Sequence, residues 1–151
     1  MATTPDYPIL GPPRLSAAGF AALLRSAGSP AAPEAAACYG AFTGQGVDPA
    51  VGLAIFRKES SYGTAGRAVR NRSWGNIRYG AAYPLDSGQF RIYPSWTIGA
   101  QDAARLLRIY GTNAIRPGTK TDTVQTLPYV WAPGSGADLY GDQLASWITT
   151  W

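Results

Sequence analysis

This chain of 151 residues contains no histidine and only two glutamates, Glu34 and Glu59. Catalysis of the Ser-His-Asp or Cys-His kind is excluded, as are zinc sites of the usual His-containing types. Glu34 falls in the first turn of a predicted helix, where a favourable interaction with the helix dipole accounts for it. Glu59 differs. It follows the apolar residues Val51, Leu53, Ala54, Ile55 and Phe56 and shares a helical face with the last two, so it is expected to point inward. Partial desolvation and the negative end of the helix dipole both favour its protonated form. A carboxyl kept neutral can hand its proton to a leaving group. Arg57 and Lys58 act the other way if they lie close, and a helix-terminal Glu paired with a neighbouring Arg is the structural alternative.

The helix before Glu59 must position it. Asp48 is a good N-cap and Pro49 suits the first helical position, where a missing N–H costs nothing. The run is apolar nearly all the way round, the pattern of a helix enclosed by others. Ser16 caps an earlier helix with Phe20, Leu23, Leu24 and Ala27 at helical spacing. A second helix over about residues 31–42 places Ala35, Cys38, Tyr39 and Phe42 on one stripe, with Cys38 a buried, inert thiol. Ser95 caps a later helix whose Trp96, Gly99, Ala103, Leu106, Leu107 and Tyr110 face the core. A short helix is predicted from Thr121 or Asp122, kinked or ended by Pro128, and a last one carries Tyr140, Leu144, Trp147, Ile148 and Trp151.

Between these helices lies a loop bearing Arg67, Arg70 and Arg72. Two strand-like runs follow, 73–79 and 89–93, joined by a turn-rich segment with Gly80, Pro84, Asp86, Ser87 and Gly88, which predicts a small β-hairpin. The fold class read from these patterns is mainly α with a small β-hairpin. Residues 1–13, with Pro5, Pro8, Pro12 and Pro13, read as an extended arm along the surface, and 14–151 as one domain.

A formal charge of +4 suits an anionic partner: nucleic acid, a membrane surface or a bacterial cell wall. No helix shows a basic face, which argues against nucleic acid. No apolar run approaches membrane-spanning length, so no membrane insertion is expected. The first residues lack the basic and apolar regions of a secretory signal, so export is expected by another route or after processing. Cys38 stands alone, without a disulfide partner or a Cys-rich metal site, and neither metal nor cofactor is expected.

The segment Ala54-Ile55-Phe56-Arg57-Lys58-Glu59-Ser60-Ser61-Tyr62-Gly63 resembles the motif around the catalytic glutamate of the bacterial glucosaminidase family, peptidoglycan-cleaving enzymes of lysozyme-like fold. Three more pieces match in order. Ser73-Trp74-Gly75-Asn76-Ile77-Arg78 is similar to the family's Asn-rich turn and strand. Phe90-Arg91-Ile92-Tyr93-Pro94-Ser95-Trp96 is similar to its return strand, and Tyr129-Val130-Trp131-Ala132-Pro133, ending at Tyr140, to its tyrosine-containing C-terminal motif. The matches cover about residues 46–151. Many relatives carry Tyr where this chain has Trp131, which can stack on a sugar but offers no hydroxyl; Tyr129 is the neighbouring phenol.

The resemblance implies a lysozyme-like α+β domain acting as an endo-β-N-acetylglucosaminidase on the β-1,4 bonds of peptidoglycan, outside the cell or in the cell wall. Glu59 is the expected general acid. Asp86, in the hairpin tip that overhangs the cleft in such folds, is the candidate base, with Tyr129 a further candidate. If neither serves, the substrate's N-acetyl group is the nucleophile, or an anhydro sugar is released as by a lytic transglycosylase. Expected substrate contacts are Ser60, Ser61, Tyr62, Trp74, Asn76, Arg78, Tyr83 and Trp131. A muramidase, or a non-catalytic glycan-binding domain of the same fold, is also compatible with these motifs. A larger phage or secretion assembly, or a separate partner, is expected to supply targeting.

Overall fold

Local capping chemistry sets several helix starts in the computed structural model, which describes residues 4–151. Helix α1 (Ala17–Ser26) begins after Ser16, whose hydroxyl oxygen accepts the Gly19 N–H at 3.0 Å. A 3₁₀ turn, Ala32–Glu34, leads into α2 (Ala35–Thr43). Helix α3 (Pro49–Ser60) has Pro49 in its first turn, and the Asp48 carboxylate accepts the Ala50 N–H at 3.0 Å. After a single turn, α4 (Ala68–Asn71), and a long irregular segment comes α5 (Trp96–Gly111), where the Ser95 hydroxyl oxygen accepts the Ile98 N–H. The short α6 (Pro128–Trp131) and the long α7 (Ala137–Thr150) complete the helices among the described residues.

Helix α3 is the hub. Every residue from Pro49 to Phe56 is buried, and the helix packs against α1, α2, α4, α5 and α7. The aromatic centre of this core is Trp74, which stacks on Phe56 with ring centroids 3.9 Å apart and also meets Phe20 and Phe42. Its indole N–H donates to the Trp96 carbonyl, so the ring is both packed and satisfied.

The expected β-hairpin does not form. Among the described residues no strand is present, and the 73–93 segment holds only two isolated antiparallel bridges, Arg78 with Phe90 and Leu85 with Arg91. Left-handed backbone at Asn76, Tyr79 and Gln89 accompanies this break, turning the chain before a ladder can extend. Pro128 differs from expectation too: it occupies the first turn of α6 and starts that helix, as a residue with fixed φ and no N–H can at a helix N-terminus. The helix predicted from Thr121 or Asp122 does not form: residues 124–127 are turns, and Thr123 is bridged to Pro8.

The arm is stitched into the body. The Ile9 N–H donates to the Asp122 carbonyl, its carbonyl accepts the Asp48 N–H, and its side chain is fully buried.

Candidate active site

Glu59 occupies the last turn of α3, where the helix delivers it next to the segment 75–78 and to α6 and α7. Its carboxyl Oε1 accepts from the Trp131 indole N–H and from the Tyr140 hydroxyl, each at 3.3 Å. Burial raises its pKa above the ordinary glutamate value; the hydrogen bonds from Trp131 and Tyr140 and the charge of Lys58 offset only part of this. No ion pair reaches Glu59 among the described residues. Its basic neighbours are engaged elsewhere: Arg57 lies over the Trp147 ring at 4.2 Å, and Lys58 donates to Gln143. Glu59 is thus a half-buried acid without a salt-bridge partner.

The chain turns sharply after Glu59. Ser61, Tyr62 and Gly63 take successive positive φ values of 50°, 61° and 77°, a run that two non-glycine residues adopt only where the surroundings impose it. Ser60 braces this corner: its buried hydroxyl donates to the Phe56 carbonyl and accepts the Gly63 N–H at 2.8 Å. Ser60 therefore lies outside any substrate surface. Ser61 is exposed, while Tyr62 is half-buried with Arg57 over its ring.

A cleft of about 680 Å³ opens beside the acid. Two of its lining residues, Asn76 and Trp131, are hydrogen-bonded to Glu59, Asn76 through the main-chain carbonyl at 3.4 Å. Arg78 lines the same cleft, with its guanidinium over the Phe90 ring. Asn76, Arg78 and Trp131 are thus gathered with Glu59. Tyr79, Leu106, Tyr110 and Pro133 also line the cleft, unanticipated from sequence. The exposure of Tyr79, at 59%, is high for a tyrosine and leaves its ring available.

Besides Ser60, three more expected site residues stand elsewhere. Trp74 is 1% exposed at the centre of the core and cannot meet a sugar. Tyr83 packs edge-on against Tyr93 and lines a different cavity with Gln101 and Arg105. Asp86 lines a third cavity, with Arg67, Arg70 and Asn71. Its carboxylate accepts from Asn71 Nδ2 at 2.9 Å, from the Gly88 and Phe90 N–H groups and from Arg67. These donors, Asn71 first, hold its pKa down at about 2, so Asp86 is a fixed loop anchor and a poor base.

The phenol that reaches the acid is Tyr140. Tyr129 is 56% exposed and makes no hydrogen bond to Glu59 among the described residues. The sequence holds one signal for this: a tyrosine on the apolar stripe of α7 must find a partner for its hydroxyl when buried. Tyr140 is buried, and its own ionisation is pushed well up by burial and by the Glu59 charge, so its O–H stays a donor at any working pH.

Asp102 and Glu34 serve the fold. Asp102 is buried and accepts from Tyr93 Oη at 2.6 Å and from Arg91 and Arg105 at 2.9 Å each. Glu34 accepts the Thr97 N–H and hydroxyl at the start of α5, so it serves the dipole of that helix. Cys38 is fully buried, and burial pushes its thiol up to about 12. Among the described residues, no three of His, Cys, Asp and Glu lie together as a metal-binding group. No protein-family model matches this chain, and no curated protein matches it.

Proposed function

We propose that this domain is a lysozyme-like peptidoglycan hydrolase related to the bacterial glucosaminidases, with Glu59 as general acid. The observation that carries the reading is the environment of Glu59: a half-buried carboxyl with a raised pKa, free of ion pairs among the described residues, beside an open cleft. Such a group keeps its proton under conditions where an ordinary glutamate has lost it, and can give it to the glycosidic oxygen as the bond to the sugar carbon breaks.

The cleft lining holds no carboxylate among the described residues, and Glu59 adjoins it through its hydrogen bonds with Asn76 and Trp131. The nucleophile is therefore assigned to the substrate. The acetamido oxygen of N-acetylglucosamine attacks its own C1 as the bond to the leaving oxygen breaks, and the positive charge passes into an oxazolinium ring. Ionised Glu59 then takes a proton from the water that opens the ring, restoring both the acid and the acetamido group. Attack on C1 by a hydroxyl of the same sugar in place of water, with its proton passing to ionised Glu59, gives the anhydro product of a lytic transglycosylase from the same acid. Arg78 and the aromatic rings of Tyr79 and Trp131 supply the sugar-binding surface. The site of action is the cell wall, and a larger assembly supplies targeting. No helix among the described residues is long and apolar enough to cross a membrane.

Digestion of purified peptidoglycan by the wild type and by Glu59→Gln, with reduced fragments identified by mass spectrometry, tests the proposal. Glucosaminitol ends from the wild type alone support the hydrolase and its acid. Muramitol or anhydro ends retain the acid and change the reaction. Release of fragments by Glu59→Gln removes the assignment, and no release by either protein leaves a glycan-binding domain.

A further inference from the structure

The two oxygens of the Glu59 carboxyl are treated differently. Oε1 accepts both the Trp131 indole N–H and the Tyr140 hydroxyl, whereas no hydrogen bond reaches Oε2 among the described residues. An indole N–H only donates. An oxygen facing it must offer a lone pair, so a proton on Oε1 would have to compete with two donors already directed there. A phenol in place of Trp131 could reverse its role and accept, leaving the proton free to sit on either oxygen; the indole cannot.

We propose that Trp131 is a positioning residue for the acid: its indole N–H, with the Tyr140 hydroxyl, fixes Oε1 as an acceptor and assigns the transferable proton to Oε2. This rests on the reading of Glu59 as general acid and specifies which atom acts.

The surroundings hold the indole in place for this task. A Cβ added at Gly75 would lie 2.6 Å from Trp131 Cζ2, so the absence of a side chain at position 75 makes room for the ring. Tyr110 also meets it edge-on, with centroids 5.4 Å apart. The indole is therefore hemmed by Gly75 and Tyr110, and its N–H is directed at Glu59 Oε1. Trp131 is also in the last turn of α6, whose short helix is anchored by the Trp131 N–H donating to the Leu127 carbonyl at 2.9 Å. Both the main chain and the ring are thus constrained.

The test exploits the scarcity of glutamate. Labelling the glutamate side-chain carboxyl with ¹³C gives two resonances, Glu34 and Glu59, assigned by loss of one in Glu59→Gln. Their pH titration is followed in the wild type, in Trp131→Phe and in Gly75→Ala, with amide spectra to confirm that each variant is folded. In Trp131→Phe the Glu59 resonance titrates at higher pH than in the wild type, because the anion has lost a donor. Gly75→Ala keeps the indole but displaces it, and moves the titration the same way. Glu34 is unmoved in both.

The pH profile of fragment release follows: its alkaline limb shifts upward in both variants, and kcat falls roughly ten- to a hundred-fold as the proton loses its fixed position. An unmoved Glu59 titration in both folded variants overturns the proposal. A shifted titration with no fragment release by the wild type supports the role of Trp131 in fixing Oε1 and removes the wall-hydrolase reading, so the two failures are distinguishable.

Discussion

Asn76 donates from Nδ2 to the main-chain carbonyl of Glu59 at 3.4 Å, tying the irregular segment to the end of the helix that carries the acid. That carbonyl is one of the helix-terminal groups that α3 cannot satisfy internally. Asn76 does this from left-handed backbone, φ 48°, a conformation that asparagine and glycine adopt more readily than alanine. Two substitutions separate the backbone from the amide. Asn76→Ala loses both and is expected to cost at least about 1–2 kcal/mol from the backbone alone. Asn76→Gly loses only the amide. Urea unfolding is expected to rank wild type above Gly and Gly above Ala, and an Ala variant at least as stable as Gly would deny the backbone a part.

Glu59→Gln is expected to stabilise the fold as it removes activity. The Glu59 pKa is raised on folding, chiefly by burial, so its ionisation disfavours the folded state. Wild-type stability from this group is fully present below the unfolded pKa, about 4.3, and declines as pH rises through the folded value. Glutamine does not ionise. The melting temperature of Glu59→Gln minus that of the wild type is therefore expected to grow from about pH 4 to about pH 8. A difference that is flat or falls over that range contradicts the burial argument.

Asp86 has the opposite linkage. Its folded pKa of about 2 lies below the unfolded value, so its contribution is present above about pH 4 and is lost as pH falls through about 2. The Gly88 and Phe90 amides donate to its carboxylate. Their hydrogen exchange, corrected for intrinsic rates, is expected to accelerate over that interval in the wild type. In Asp86→Asn, which cannot titrate, the acid-dependent acceleration at these two amides disappears; its persistence would assign the loosening to another group.

Trp74 fills the centre of the aromatic core. Trp74→Ala is expected to cost about 3–5 kcal/mol by calorimetry or denaturant unfolding. Any loss of glycan binding is expected to track the unfolded fraction. A stable, folded Trp74→Ala with weakened glycan binding would return this residue to the site.

The parts of the fold legible in sequence are those governed by neighbours along the chain. Ser16, Asp48 and Ser95 each mark a helix start because capping needs only a side chain and an N–H two or three positions on. The inward aim of Glu59 follows from helical spacing in the same way. Contacts between distant segments are not legible. Tyr140 meets Glu59 across 81 positions; its place on the apolar stripe of α7 calls for a hydroxyl partner, but nothing local says which residue that is. Trp74 lies in the core and not at the cleft because an aromatic residue near a turn suits a sugar platform or an aromatic core equally well, and only the packing decides. Asp86 sits where a turn residue is expected, and the Gly88 and Phe90 N–H groups belong to its own turn; Arg67 and Asn71 come from a segment whose placement depends on the whole fold. The hairpin fails because alternating composition does not reveal the left-handed residues that interrupt pairing.

The stitched N-terminal arm seats the start of the helix that carries Glu59. Ile9 grips the main chain at Asp48, and the Asp48 carboxylate accepts the Arg14 N–H as well as the Ala50 N–H. A pull on the arm, or a protease cut between positions 11 and 14, acts first on the seat of α3. Because α3 runs unbroken from that seat to Glu59 in its last turn, the arm and the carboxyl sit at opposite ends of one helix.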